Sequence, residues 1–134
     1  MIGRKIGVRA KIVSYEFGEY LKRATNGEHQ SLTLGWICDN GDADNFFSLF
    51  ANASMNFSRW HDKDFDGLIS KARVEFNTNK RIKLYKQAQV IMHKQSPVVF
   101  MAHSTIYDVV RKEVSGFVMS PMGSHYFGKI DIIN

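Results

Sequence analysis

Residues 31–45 read SLTLGWICDNGDADN. The first seven, SLTLGWI, are dense in apolar residues and predict a strand buried on both faces. The strand then opens into a loop that places Asp39, Asp42 and Asp44 within six positions. Upstream, IGVRAKIVSY (6–15) sets Val8, Ala10 and Ile12 against Arg9 and Lys11, the alternation of a half-buried strand. Between the two runs Phe17, Tyr20, Leu21 and Ala24 share one helical face, and Asn26-Gly27 supplies a C-terminal stop. Strand, helix and strand at this spacing predict a βαβ unit with a parallel sheet, and the fold class is α/β.

The middle of the chain reads as helical. DADNFFSLFAN predicts a short helix opened by Asp42 or Asp44 as a cap. KDFDGLISKARVEF places Phe65, Leu68, Ile69 and Ala72 at helical spacing, and NKRIKLYKQAQVIMHKQ (79–95) carries the clearest stripe. That stripe is Ile82, Tyr85, Ala88 and Met92, widened by Leu84 and Ile91, with Asn77 or Thr78 as cap and Ser96-Pro97 as the end. VVFMAHSTIYDVV then reads as a strand. The tail segments VSGFVMSP and YFGKIDII read as two short strands around a turn at Pro121–Gly123.

The totals bound the function class. With 134 residues, 44% of them hydrophobic, the chain is the size of one domain with a core. The net charge of +5 is spread in small groups such as Lys22/Arg23 and Lys80/Arg81/Lys83/Lys86, with no stripe interleaved with aromatics, so nucleic acid is not the expected partner. The one cysteine, Cys38, excludes an intrachain disulfide and leaves the redox compartment open. The first residues, MIGRKIGVRAKIV, show no signal-peptide h-region, and no run reaches membrane-span length. The chain as written is therefore expected in the cytoplasm.

Local motifs give no catalytic machinery. DKDFDG (62–67) matches the opening of a calcium loop, but position twelve falls on Arg73, where calcium needs a bidentate carboxylate. The acids there read instead as the N-terminus of a helix. Five scattered histidines form no i, i+4 pair, and Cys38 has no cysteine partner for zinc. His103, Ser104 and Asp108 lack a nucleophile elbow. No P-loop or dinucleotide glycine fingerprint is present, so no enzyme, metal or cofactor is expected.

Asp39 stands apart from these. It follows the carboxyl end of a buried parallel strand, where ligands bind in open α/β sheets. A partly desolvated carboxylate beside the Trp36 indole suits a ligand cation, an ammonium above all. From pattern alone a plain Asx-turn is the favoured reading, with Asp42 and Asp44 as turn and cap residues.

Four stretches in order, KIGVRAKIVSYEFGEYLKRATNGEHQ, GWICDNGDADNFF, NKRIKLYKQAQVIMHKQSP and AHSTIYDVVRKEVSGFVMSPMGSHYF, carry a resemblance over nearly the whole chain. It resembles the C-terminal part of a periplasmic dipeptide-binding protein, from the peptide/nickel branch of ABC-importer solute-binding proteins. The resemblance implies a C-terminal lobe fragment of a type II periplasmic-binding-protein fold, with two lobes closing around a peptide. It assigns residues 1–105 to one lobe and 106–134 to a segment crossing back to the other, with Met1 inside a helix of the larger lobe.

The family's W-x-x-D motif falls on Trp36-Ile37-Cys38-Asp39. By resemblance Asp39 binds the peptide α-ammonium group, Trp36 forms the wall, and Ile37 and Cys38 offer backbone contacts. The implied partners are a dipeptide or short peptide and an ABC permease in the inner membrane, and the implied compartment of the parent family is the periplasm. Haem or another small solute is the alternative cargo, and a small ligand-free interaction domain is the competing class.

Departures accompany the likeness. Full family members are several times longer, begin with a signal peptide and bring an arginine for the ligand carboxylate from upstream. Cysteines that some members carry after the NFF segment are absent from FANASMNFSRWHD. The tail residues Val118, Ile130, Ile132 and Ile133 are expected to lie exposed or to pack somewhere non-native, a hazard for aggregation.

Overall fold

The computed structural model describes residues 5–51 and 55–133. The helix expected around Met1 and the central residues of the FANASMNFSRWHD loop lie outside them. The chain divides into two compact units, Met1–Thr33 and Leu34–Asn134.

The first unit holds helix α1, Phe17–Asn26. Its ends follow from single residues. The Glu16 carboxylate accepts the backbone N–H groups of Gly18 and Glu19 at 2.8 and 3.3 Å, replacing the bonds that the first turn lacks. Gly27 closes the helix in the left-handed region (φ 73°), which a residue without Cβ adopts at little cost. Arg23 bridges Glu19 and Glu28, and its guanidinium covers the Tyr15 ring at 4.5 Å. Residues 8–16 ahead of the helix join no ladder.

The second unit is built on a helical hairpin. Helix α2 spans Asp44–Phe47, α3 spans Lys63–Val74 and α4 spans Thr78–Gln95. Asp62 caps α3 through its carboxylate on the Phe65 N–H (2.8 Å), and Asn77 caps α4 on the Lys80 N–H (3.0 Å). The acids of DKDFDG thus sit as read, at a helix N-terminus where the dipole favours them. Phe65, Ile69 and Ala72 of α3 are fully buried against Tyr85, Ala88 and Met92 of α4, with Phe47 and Ala51 over their ends. Phe47 stacks on Tyr85 at 5.1 Å, and Trp60 meets Phe65 edge-on at 4.8 Å. Burying each Phe or Ile side chain contributes about 1.5–3 kcal/mol.

Ile82 corrects the expected stripe, since it is exposed and the buried row begins one turn later, at Tyr85. At that level of α4 it is Arg81 that meets α3, its Nε on the Ala72 carbonyl at 3.0 Å.

The expected βαβ unit is not assembled as paired strands. Residues 32–38 and 99–111 run without regular structure, like residues 8–16. Alternation specifies a face, whereas a strand also needs a partner to complete its ladder, and among the described residues these segments join no ladder. The one sheet among the described residues pairs β1 (Val114–Ser115) antiparallel with β2 (Asp131–Ile132), Val114 opposite Ile132. This is the tail pairing the sequence implied, reduced to its outer ends. Gly116 makes the approach possible: at φ 73°, a Cβ there would meet the Lys129 carbonyl oxygen at 1.9 Å. Val118, Ile132 and Ile133 are exposed as expected, while Ile130 is half-buried.

Candidate ligand-binding site

The loop after Ile37 is held from below by two arginines. Arg81, in the first turns of α4, clamps Asp42 with both terminal nitrogens, at 2.6 and 2.9 Å, and donates its Nε to the Ala72 carbonyl at the end of α3. Arg73 of α3 donates its Nε to Asp44 at 2.9 Å. One guanidinium therefore ties the loop to both helices, a geometry that the planar fork of arginine provides and lysine does not. The Arg81 fork, and after it the Asp44 N–H, hold the Asp42 carboxyl below its usual range, and the same fork raises Arg81. Burial raises the Tyr85 phenol, whose hydroxyl lies beside this pair without completing a hydrogen bond among the described residues.

Asp42 and Asp44 thus keep the turn-forming role read for them, but neither side chain caps α2. The residue before that helix is Ala43, with no side-chain cap. Asp42 instead accepts the Asp44 N–H at 2.8 Å and turns the chain. No local pattern pointed to the arginine partners, which lie 29 and 39 residues downstream.

Asp39 is the carboxylate of the three with no cation within ion-pair distance among the described residues. It is exposed, which corrects the expected partial desolvation. Residues 32–38 lie in no sheet, so no strand end shelters the carboxylate. Its contact is with Asn45, whose Nδ2 donates to Asp39 Oδ2 at 3.3 Å. The same amide accepts the Trp36 indole N–H on Oδ1 at 2.7 Å. Trp36 and Asp39 are therefore linked through one residue, Asn45, which the sequence had left inside a helix. Asparagine in a first helical turn carries no signal that separates a bridge from an ordinary helix start.

Ile37 and Cys38 occupy the intervening positions. Ile37 is exposed, and its backbone makes no hydrogen bond among the described residues. Cys38 is half-buried, with Sγ 3.6 Å from both Asn40 Oδ1 and the Asp42 carbonyl oxygen. The Pro121–Gly123 turn backs the loop: methyl groups built on Gly41 and Gly123 would meet Met122 Sδ at 3.9 Å and Ile37 Cγ2 at 3.8 Å. A shallow groove of about 450 Å³ nearby is lined by Asp42, Arg73, Phe76, Arg81 and Tyr85, and includes neither Trp36 nor Asp39. Its charged groups are largely engaged with one another. Elsewhere, Asp108 faces His125 at 4.0 Å and His103 is exposed, so the three residues His103, Ser104 and Asp108 form no assembly.

No protein-family model matches the chain. It is 54% identical over 133 residues to the dipeptide-binding protein of Escherichia coli strain K12, a match that covers 96% of this chain and 25% of the relative. It is 41% identical over 132 residues to heme-binding protein A of Haemophilus influenzae, covering 96% of this chain and 24% of that protein. Among solved structures, the dipeptide-binding protein of Pseudoalteromonas sp. SM9913 in complex with Met-Leu aligns with TM-score 0.83 and 31% identity, over 96% of this chain and 26% of that one. An ABC transporter-associated periplasmic binding protein from Helicobacter pylori, in complex with the peptide STSA, aligns with TM-score 0.65 and 39% identity over 70% of this chain and 20% of that one. The chain is thus homologous to dipeptide-binding proteins and has the fold of a part of them. It spans about a quarter of the length of the curated relatives it matches. Among the described residues no helix is long and apolar enough to cross a membrane.

Proposed function

We propose that this chain carries the ammonium-binding half of a dipeptide site, in a periplasmic solute-binding protein that delivers peptides to an ABC permease. The observation that carries the reading is Asp39: of three neighbouring acids, two are neutralised by Arg81 and Arg73, and the third stands open beside Trp36. An ammonium group can donate to that carboxylate while the indole covers the adjoining carbon atoms. The open Ile37 backbone supplies further polar contact for a peptide, with Cys38 beside it. A closed cleft raises the worth of such a pair: removing one partner of a desolvated pair costs about 2–5 kcal/mol. Asp39 is exposed here, so the desolvating surface has to come from an opposing lobe, together with the cation for the ligand carboxylate.

On this reading residues 1–105 belong to one lobe and 106–134 cross toward the other. The exposure of Val99, Phe100, Met101, Tyr107 and Val109, around that boundary, supports it. The greater identity to a dipeptide-binding relative than to a heme-binding one favours peptide over haem. The role is binding rather than catalysis.

Thermal unfolding with millimolar alanyl-alanine tests the site. The expected result is a small rise in Tm with the free peptide, none with N-acetyl-alanyl-alanine, and none for Asp39→Ala with either. An equal rise for both peptides, or no rise at all, overturns an ammonium site in this chain.

A further inference from the structure

We infer that Asn45 is the positioning residue of this site: it fixes the Asp39 carboxylate by one oxygen, leaves the other for the ligand, and locks the Trp36 indole to the same frame. The inference rests on the reading of Asp39 as the ammonium ligand and adds a residue to it. An indole N–H can only donate, so the Asn45 atom 2.7 Å from Trp36 Nε1 must be the oxygen. The amide nitrogen is then forced toward Asp39, where it meets Oδ2 at 3.3 Å. Asp39 Oδ1 has no partner among the described residues. One oxygen is committed and one is open, so the orientation of the open one is set before a ligand arrives.

Asn45 is itself well anchored. Its N–H donates to the Asp42 carbonyl at 3.1 Å, its carbonyl accepts the Ser48 hydroxyl at 3.2 Å, and Asp42 is gripped by Arg81. Two residues on, Phe47 is buried against Tyr85. A line of contacts thus runs from helix α4 through Arg81, Asp42 and Asn45 to Asp39. The carboxylate, itself exposed, is held by a side chain that cannot rotate without losing the indole bond. Such preorganisation removes ordering that binding would otherwise have to supply.

Two measurements on the full 134-residue chain test this. In amide NMR spectra, Asn45→Ala is expected to move the Trp36 indole N–H resonance. Asp39→Ala is expected to move the Asn45 side-chain amide pair while the indole bond survives. Asn45 amide resonances indifferent to Asp39→Ala overturn the proposal. In calorimetric titration, Asn45→Ala is expected to weaken alanyl-alanine about fivefold, the scale of the net contribution of one ordinary hydrogen bond. It is also expected to erode the preference over N-acetyl-alanyl-alanine. A general loosening of the loop would instead weaken both peptides alike and leave the preference intact, and that result rejects the positioning role. If the unmodified chain ignores both peptides, the peptide-binding reading falls, and the spectra alone decide whether Asn45 holds Asp39.

Discussion

The molecule contains the same three-part device twice. In Trp36–Asn45–Asp39 and in Trp60–Gln95–Asp62, an indole N–H donates to an amide oxygen at 2.7 Å and the amide nitrogen donates to a carboxylate. The settings differ. Trp60 packs on Phe65, Gln95 ends α4, and both oxygens of Asp62 are used, one by Gln95 and one by the Phe65 N–H at the start of α3. The first device is local, with partners six and nine residues apart, and spends one oxygen of its carboxylate. The second closes a loop of more than thirty residues and spends both. What separates a structural acid from an open one is therefore the fate of the second oxygen, rather than the company of tryptophan and amide.

Breaking the ground under the structural device gives the largest effect. Phe65→Ala removes the ring that Trp60 and Phe47 rest on, and is expected to cost about 3–5 kcal/mol in urea unfolding. Asp62→Ala, which deletes the α3 cap and the Gln95 contact together, is expected to lower the urea midpoint with no change in slope.

Arg81→Met sharpens the comparison from the side of the loop. The Asp42–Arg81 pair is about a third exposed on both sides, so screening limits its loss to about 1 kcal/mol. Its signature is in pH. The carboxyls of Asp42 and Asp62 are depressed in the folded chain, by Arg81 in one case and by the Phe65 N–H in the other. A depressed carboxyl contributes stability that is present above its unfolded value of about 3.9 and is lost as pH falls through the lower folded value. Tm measured from pH 6 to pH 2 is expected to fall below about pH 4, and the Asp42 part of that fall is expected to vanish in Arg81→Met.

Asp39→Ala gives the smallest effect. An exposed carboxylate with one long hydrogen bond is expected to leave stability within about 0.5 kcal/mol, measured in the same urea series. A loss as large as that of Asp62→Ala would make the two devices equivalent and remove the ground for treating Asp39 as open.

The sequence was legible where structure is local. The stop at Gly27, a cap at Asn77 or Thr78 and the acids of DKDFDG at a helix N-terminus came from residue type and spacing, and so did the buried row of α4 from Tyr85 onward. The W-x-x-D resemblance singled out Trp36 and Asp39, and the structure links both to Asn45, while spacing alone favoured a plain Asx-turn. Non-local partners were invisible. Nothing in DADN indicates that Arg81 and Arg73 will neutralise two of its acids, or that Asn45 will turn toward both Trp36 and Asp39. The strands failed for the same reason. Val8, Ala10 and Ile12 describe one face of a strand, but the ladder that makes it one depends on chain elsewhere.

The two guanidinium clamps also set the valence to which the loop responds. Three bare carboxylates in six residues would present −3 and would gather divalent and polyvalent cations ahead of monovalent ones. With Arg73 and Arg81 drawn in, the loop and its clamps keep a single net negative charge, on Asp39. A single charge gives no advantage to magnesium or a polyamine beyond their own charge, and its reach is screened within about 10 Å at 0.1 M salt. The acidic loop therefore behaves toward its surroundings as one fixed anion, matched in number to one ammonium.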